Sequence, residues 1–303
     1  MDTVLVQHSI QISNKQDHVV CLGIFDGVHL GHRALIEATV SKAKEKNLQA
    51  AAVTFFGATW QNRIYTLEQQ LDLLSKLGLD RVFIIAFDEF FKNLSPQLFV
   101  RDYLAHYIRA KEVICGFNYR FGKKQSGDLT ILNDLGKAYG YGLTVIPPVS
   151  FKGQVVSSTL IKQYLQEGKM KEVNALLGDP YFISGVIAAG KKLGRLLRFP
   201  TINIRLSHPL SPLRLGVYTS RTQIDKTVYE GITNIGTAPT VSSGKPIVCE
   251  THLFDFSREI YHHEAKVQLL DFIRAEQRFQ NLEELNHQIA QDVHLAKEWF
   301  QNE

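Results

Sequence analysis

The chain has 303 residues, 45% of them hydrophobic and 21% charged, with a net charge of +4. That length suits two domains, and the composition suits ordinary globular cores. The cation surplus favours anionic ligands such as nucleotides, but it is too small and too dispersed for a DNA- or RNA-binding surface, so no nucleic-acid partner is expected.

The N-terminal stretch MDTVLVQHSIQISNKQDH is polar and carries no signal-peptide apolar segment, and no stretch approaches the length of a membrane span. Cys21, Cys115 and Cys249 each sit in an apolar, strand-like run. An odd, widely spaced set of thiols argues against a disulfide framework and for free buried cysteines in a reducing, cytoplasmic compartment.

From residue 18 to about 150, strand-like and helix-like runs alternate. HVVCLGIF (18–25) is apolar and β-branched; residues 31–48 carry the helical stripe Leu35, Ile36, Val40, Ala43 and Leu48. AAAVTFF (50–56) reads as a strand, then TLEQQLDLLSKLG (66–78) as a helix with Thr66 as N-cap and Gly78 beyond its end. RVFIIAF (81–87) is a strand, and SPQLFVRDYLAHYIRA (95–110) a helix opening on Ser95 and Pro96. EVICGF (112–117) and LTVIPPV (143–149) complete the series. Continuous apolar strands between amphipathic helices imply a parallel sheet covered on both faces. Past residue 180 the pattern becomes short strands with Gly, Pro and Asn turns, which suggests an antiparallel barrel or sandwich. Leu282, Leu285, Ile289, Ala296 and Phe300 then mark a terminal helix packed on it. The boundary is placed between 181 and 182, giving domains 1–181 and 182–303.

GIFDGVHLGH (23–32) follows the opening strand and enters the next helix. In a parallel sheet that turn is a ligand position. Gly23, Gly27 and Gly31 let a ligand approach the backbone, and the helix N-terminus favours an anion. His29 and His32 add N–H donors. As metal ligands the two histidines lack a third partner at metal spacing, since HHE (262–264) lies in the other half, so phosphate binding is the reading carried forward. In VVSSTLIKQYL (155–165), Ser157, Ser158 and Thr159 precede a helix; taken alone they are an N-cap, but beside the histidine motif they and Lys162 become candidate phosphate ligands.

With GFNYRFG (116–122) and SGD (126–128), these motifs resemble the adenylyltransferase module of the prokaryotic FAD synthetases, in the HxGH nucleotidyltransferase superfamily. GDPYFISGVIAAGKKLGR, FPTINI, GVY, NIGTAPT, ETHLFDF and IRAEQRF resemble the riboflavin kinase module fused behind it in the bifunctional riboflavin kinase–FMN adenylyltransferase family. The resemblance covers nearly the whole chain. It implies a Rossmann-like α/β domain with a parallel sheet, then an antiparallel β-barrel kinase-like domain with a terminal helix.

The resemblance also implies a reaction, the attack of FMN's phosphate oxygen on the α-phosphorus of ATP with departure of pyrophosphate. His29 and His32 would hold the ATP phosphates, with Ser158, Thr159 and Lys162 opposite and Ser157 beside them. Phe25 and Asp26 complete the turn, Asn118 and Phe121 shape the pocket, and Mg²⁺ offsets phosphate charge. In the kinase half Thr201 and Asn203 would bind Mg²⁺ and nucleotide phosphates, and Glu250 would activate the riboflavin hydroxyl. The expected partners are ATP, FMN and riboflavin, with weak homo-oligomer formation as a further expectation and no membrane partner.

One stretch and four single positions depart from the family pattern. TFFGATW (54–60) replaces a Pro-His-Pro turn, and Lys162 stands where Arg is usual, keeping charge without the bidentate fork. Arg198 stands for Gly, Ile202 for Ala and Ala238 for Arg in the kinase half. A bulky cation, a stiff β-branched side chain and a lost set of donors argue for weakened kinase activity. Glu250, Thr201 and Asn203 argue for its retention. The sequence therefore leaves open a synthetase alone or a fully bifunctional enzyme, with a different HxGH adenylyltransferase or a non-catalytic flavin binder as rivals.

Overall fold

The structure, a computed structural model, describes residues 1–6, 16–57, 62–188, 199–205, 213–237, 247–256 and 262–303. Arg198 and Ala238 lie outside the described residues. Packing divides the chain into Met1–Ser158 and Thr159–Glu303.

The first unit runs through β1 (Asp2–Val6), β2 (His18–Leu22), α1 (Leu30–Lys46), β3 (Gln49–Phe56), α2 (Leu67–Ser75), β4 (Arg81–Ala86), α3 (Glu89–Lys92) and α4 (Pro96–Leu98). Then follow a π-helical segment (Phe99–Tyr107), β5 (Ala110–Gly116), α5 (Leu129–Tyr139), β6 (Gly142–Ile146) and the small hairpin of β7 (Ser150–Phe151) and β8 (Gln154–Val155). The six long strands form one parallel sheet in the order β1-β4-β3-β2-β5-β6. Both faces are buried: Val20, Leu22, Ala51 and Val53 enter one core cluster, and Val19, Cys21, Ala50 and Ala52 the other. That double burial is why these strands read as unbroken apolar runs.

Strand β2 has β3 on one side and β5 on the other, so the chain changes direction across the sheet there. The crevice beyond the carboxyl ends of β2 and β5 is the topological switch point, where open α/β sheets bind ligands.

The local signals mostly act as expected. Thr66 and Gln69 form a complete capping box at α2, with Gln69 N–H donating to Thr66 Oγ1 at 3.2 Å and Thr66 N–H to Gln69 Oε1 at 2.9 Å. The helix stops at Ser75, and Gly78 takes φ +82° in the turn beyond. Ser95 caps α4, but the expected helix over 95–110 widens after Leu98, where Ile108 N–H bonds the Tyr103 carbonyl five residues back at 2.8 Å. Strand β1 had no sequence signal of its own. It is a five-residue edge strand, mostly exposed, whose place depends on pairing with β4.

The second unit starts within α6 (Ser158–Glu167) and continues through α7 (Met170–Leu177), β9 (Phe182–Ala188), β10 (Thr201–Arg205), β11 (Gly216–Ile224), β12 (Thr227–Thr237), β13 (Ile247–Leu253), β14 (Glu264–Ala275) and α8 (Leu282–Gln301). Antiparallel pairing in the order β10-β13-β12-β11-β14-β9 closes into a barrel through β9 and β10, with Asn203 opposite Ala188. Of the two architectures left open by the sequence, closure selects the barrel.

Helix α7 docks on this barrel: Asn174 Nδ2 donates to the Leu269 carbonyl at 3.0 Å, and Lys171 pairs with Asp271 at 3.1 Å. Packing therefore groups α6 and α7 with the barrel, although both precede residue 182. Helix α8 covers the barrel wall with Ala296 against Val217, Ile232 and Phe254, and is pinned by the buried Asp292, whose Oδ2 accepts from Arg274 Nη2 at 2.8 Å. All three cysteines are free and buried, as expected.

Candidate functional site

The β2–α1 turn departs from ordinary backbone geometry. Gly27 takes φ +87°, where glycine is at ease, but Phe25 (φ +53°) and Val28 (φ +46°) are non-glycine residues in the left-handed region. Each such residue costs about 1–3 kcal/mol and persists only where its surroundings enforce it. The turn is enforced from several sides. Phe25 and Val28 are fully buried; Asp26, also buried, accepts the Ile64 N–H at 2.9 Å and lies 3.4 Å from Arg63 Nε. The Ser158 hydroxyl donates to the Asp26 carbonyl at 2.8 Å, bringing the start of α6 to the turn.

His29 is the N-cap of α1. Its Nδ1 accepts the His32 N–H at 3.3 Å, which puts the proton of the neutral ring on Nε2 and leaves that N–H as a donor. The His29 and His32 rings stack with centroids 3.7 Å apart and an interplanar angle of 17°. Gly31 makes room for this pair, because a Cβ there would lie 3.2 Å from the His29 ring. Gly23 does the same for Phe25, whose ring a Cβ would meet at 3.0 Å. Burial lowers the pKa of His29 to about 4 against the attraction of Asp26. Burial, then the neighbouring His29 and Arg63, hold His32 well below the ordinary imidazole range. Both rings are thus neutral at pH 7. His32 Nδ1 is shut off from solvent with no hydrogen-bond partner among the described residues. Two neutral imidazoles at a helix N-terminus form a donor set for a phosphate.

The remaining predicted residues fall in different places. Ser157 and Ser158 are partly buried at the start of α6; Thr159 and Lys162 follow on that helix, in the second unit. Asn118 is exposed just past β5, at the switch point. Phe121 is 7% exposed and sits in the core: its backbone pairs with Gly127, and its ring lies 5.8 Å from Tyr119 and 5.7 Å from Phe99. Sequence reasoning passed over Arg63, Gln70 and Thr54, all buried beside the turn. Polar residues without water access in a nominal loop, strand and helix carry no periodic signal.

In the second unit a cavity of about 540 Å³ opens between the barrel wall and α8, lined by Phe199, Thr201, Asn234, Glu250, His252 and Phe279 among others. Asn203 is the cross-strand partner of Glu250, which also stands opposite Asn234 on β12. Along β10, Thr201 is exposed and Asn203 partly so, while Ile202 and Ile204 are buried. Strand alternation therefore turns Ile202 into the barrel core, away from the face of Thr201 and Asn203.

Residues 11–160 match the FAD synthetase family and residues 177–300 the riboflavin kinase family. A bifunctional riboflavin kinase/FMN adenylyltransferase of Bacillus subtilis is 33% identical over 100% of this chain and 99% of its own length. One of Escherichia coli K12 is 34% identical, covering 97% and 96% respectively. The chain belongs to the bifunctional riboflavin kinase/FMN adenylyltransferase family. Its first half is an FAD synthetase domain and its second a riboflavin kinase domain, as the motifs implied. A crystal structure from Streptococcus pneumoniae, described as a macrolide-efflux protein, shares the fold with a TM-score of 0.88 and 26% identity over 99% of this chain and 100% of its own. Among the described residues no helix is long and apolar enough to cross a membrane.

Thr201 and Asn203 are the residues of the second unit whose chemistry would suit Mg²⁺. Thr201 and Asn203 present oxygen donors on one face of β10 beside Glu250, the hard ligand chemistry that Mg²⁺ accepts when substrate phosphates complete its shell. No group of three or more His, Cys, Asp or Glu side chains that could by itself hold a metal ion occurs among the described residues.

Proposed function

We propose that this chain makes FAD by transferring AMP from ATP to FMN at the β2–α1 turn. The observation that carries the reading is the stacked, neutral His29–His32 pair at the N-terminus of α1, at the switch point of the parallel sheet. Backbone amides and the imidazole N–H groups receive the ATP phosphates and meet the charge that develops as pyrophosphate departs. The FMN phosphate oxygen attacks the α-phosphorus directly, so no nucleophile of the chain is needed and catalysis rests on positioning. Ser157 and Ser158 supply hydroxyls to the phosphates, and Thr159 and Lys162 a further hydroxyl and a cation, with Gly23 and Gly27 shaping the backbone and Asn118 at the flavin side. Mg²⁺, when bound, neutralises phosphate charge. We assign this work to residues 1–181 in the cytoplasm.

A second activity, phosphorylation of riboflavin by ATP in residues 182–303, is favoured by the barrel cavity. Glu250 lines it and would take the proton from the riboflavin 5′-hydroxyl, with Thr201 and Asn203 holding Mg²⁺ and phosphate. Ile202, which in the sequence argued against this activity, lies in the core rather than on the phosphate face.

The test is purified protein with ATP and Mg²⁺, given riboflavin alone or FMN alone, with products separated by chromatography. FMN should yield FAD, and riboflavin should yield both FMN and FAD. FAD from FMN only would remove the kinase assignment, and no FAD from FMN would remove the main one.

A further inference from the structure

One carbonyl in the first unit is held by three side chains from three elements. The Ile24 oxygen accepts from Thr54 Oγ1 on β3 at 3.0 Å, from Gln70 Nε2 on α2 at 3.1 Å and from Arg63 Nη2 in the segment between them at 3.3 Å. The three donors are also bonded to each other through Gln70. Its Oε1 accepts from Arg63 Nη2 at 2.8 Å, and its Nε2 reaches Thr54 Oγ1 at 3.3 Å. Gln70 is 1% exposed and Thr54 0% exposed.

Such convergence is unusual for a single peptide oxygen, and its location gives it a use. Ile24 immediately precedes Phe25, the first of the two non-glycine left-handed residues, and lies five residues before His29. The same Arg63 sits beside Asp26. Backbone held in sparsely populated angles relaxes unless its neighbours over-determine it. Here the over-determination comes from the buried amide of Gln70, which accepts from the guanidinium and donates to the carbonyl at once.

We propose that Gln70 is a positioning residue for adenylyl transfer: by clamping the Ile24 carbonyl together with Thr54 and Arg63, it sets the backbone path that presents His29 and His32 to the nucleotide. Gln70 is 1% exposed and so is shielded from a bound ligand. Its effect passes through the turn, so it acts on the geometry reached in the transition state more than on ground-state capture of ATP. The proposal rests on the synthetase reading for its catalytic consequence and on the turn geometry alone for its structural one.

Two readouts separate these. The first is steady-state FAD formation by the full chain carrying Gln70→Met, which keeps the shape and removes both hydrogen-bonding functions, or Thr54→Val, which is nearly isosteric and lacks the hydroxyl. Each should lower kcat at least tenfold with KM for ATP changed less than threefold, while Thr54→Ser, which keeps the hydroxyl, should stay within threefold of wild type. The second is the imidazole titration of His29 and His32 followed by NMR in the same variants, which needs no turnover. Release of the turn should let water reach the rings and move the His29 titration upward from about 4 toward the ordinary 6.5. Variants with wild-type kcat and wild-type histidine titrations would overturn the proposal. So would equal damage from Thr54→Ser and Thr54→Val. If wild type makes no FAD, the function fails separately, and the titrations still decide whether Gln70 holds the turn.

Discussion

The Ser158 hydroxyl donates to the Asp26 carbonyl at 2.8 Å, joining residues 132 positions apart in the chain. The histidine-bearing turn and the serine pair that taken alone reads as a helix cap are thereby joined by one hydrogen bond. Asp26 belongs to the turn feeding α1, and Ser158 opens α6. The bond fixes the backbone of the turn at Asp26, one residue before Gly27 and three before the N-cap His29 of α1.

Replacing His32 by alanine should leave the fold intact and cut FAD formation at least a hundredfold. A preorganised donor to developing charge is worth about 3 kcal/mol of barrier. Turnover measured beside a circular dichroism spectrum checks this, and near-normal FAD formation by a folded variant would remove His32 from the mechanism.

The folded-state pKa of His29, about 4, lies below the 6.5 of the unfolded chain because burial disfavours the imidazolium. Between those values the unfolded chain binds the additional proton, so stability rises with pH across the window and is lost as pH falls from 6.5 toward 4. His32 and the buried His18 shift in the same direction. Thermal midpoints recorded against pH should show this slope. His29→Asn, which retains an N-cap acceptor but cannot titrate, should make it shallower, leaving the part due to His32 and His18.

Glu250→Gln should abolish riboflavin phosphorylation by a factor of about 10² or more, since a general base contributes on that scale. FAD formation from FMN should be unchanged, because Glu250 belongs to the barrel and the imidazole pair to the sheet domain. Parallel assays with the two flavins distinguish this from general damage, which would lower both.

Ile202→Ala should destabilise the chain by about 2 kcal/mol, at the low end for truncating a core aliphatic, without raising kinase activity. A gain in FMN formation would mean instead that the isoleucine crowds the phosphate face of β10.

The parallel sheet was legible because strands covered on both faces leave long apolar runs, and α1, α2 and α8 because their stripes and caps are local. The imidazole pair was legible for a related reason: His29 and His32 sit within one turn of helix and need only local backbone to meet. Arg63, Gln70 and Thr54 were not legible, since their common target is a carbonyl distant from all three in the chain and no periodicity marks a buried polar clamp. Ile202 shows the same limit from the other side: the substitution was visible in the sequence, but the face it occupies was decided by the register of β10 against β13.

What the sequence determined by itself, then, is the alternation of strands and helices in the first half, the family and the turn that carries the two histidines, because these rest on local spacing and on motifs. Tertiary structure alone decided that the second half closes as a barrel, that Phe121 is core, that α7 docks on β14 and that three remote side chains hold the turn in place. Strand pairing and burial are set by contacts between distant residues, and a linear reading contains no distance between them.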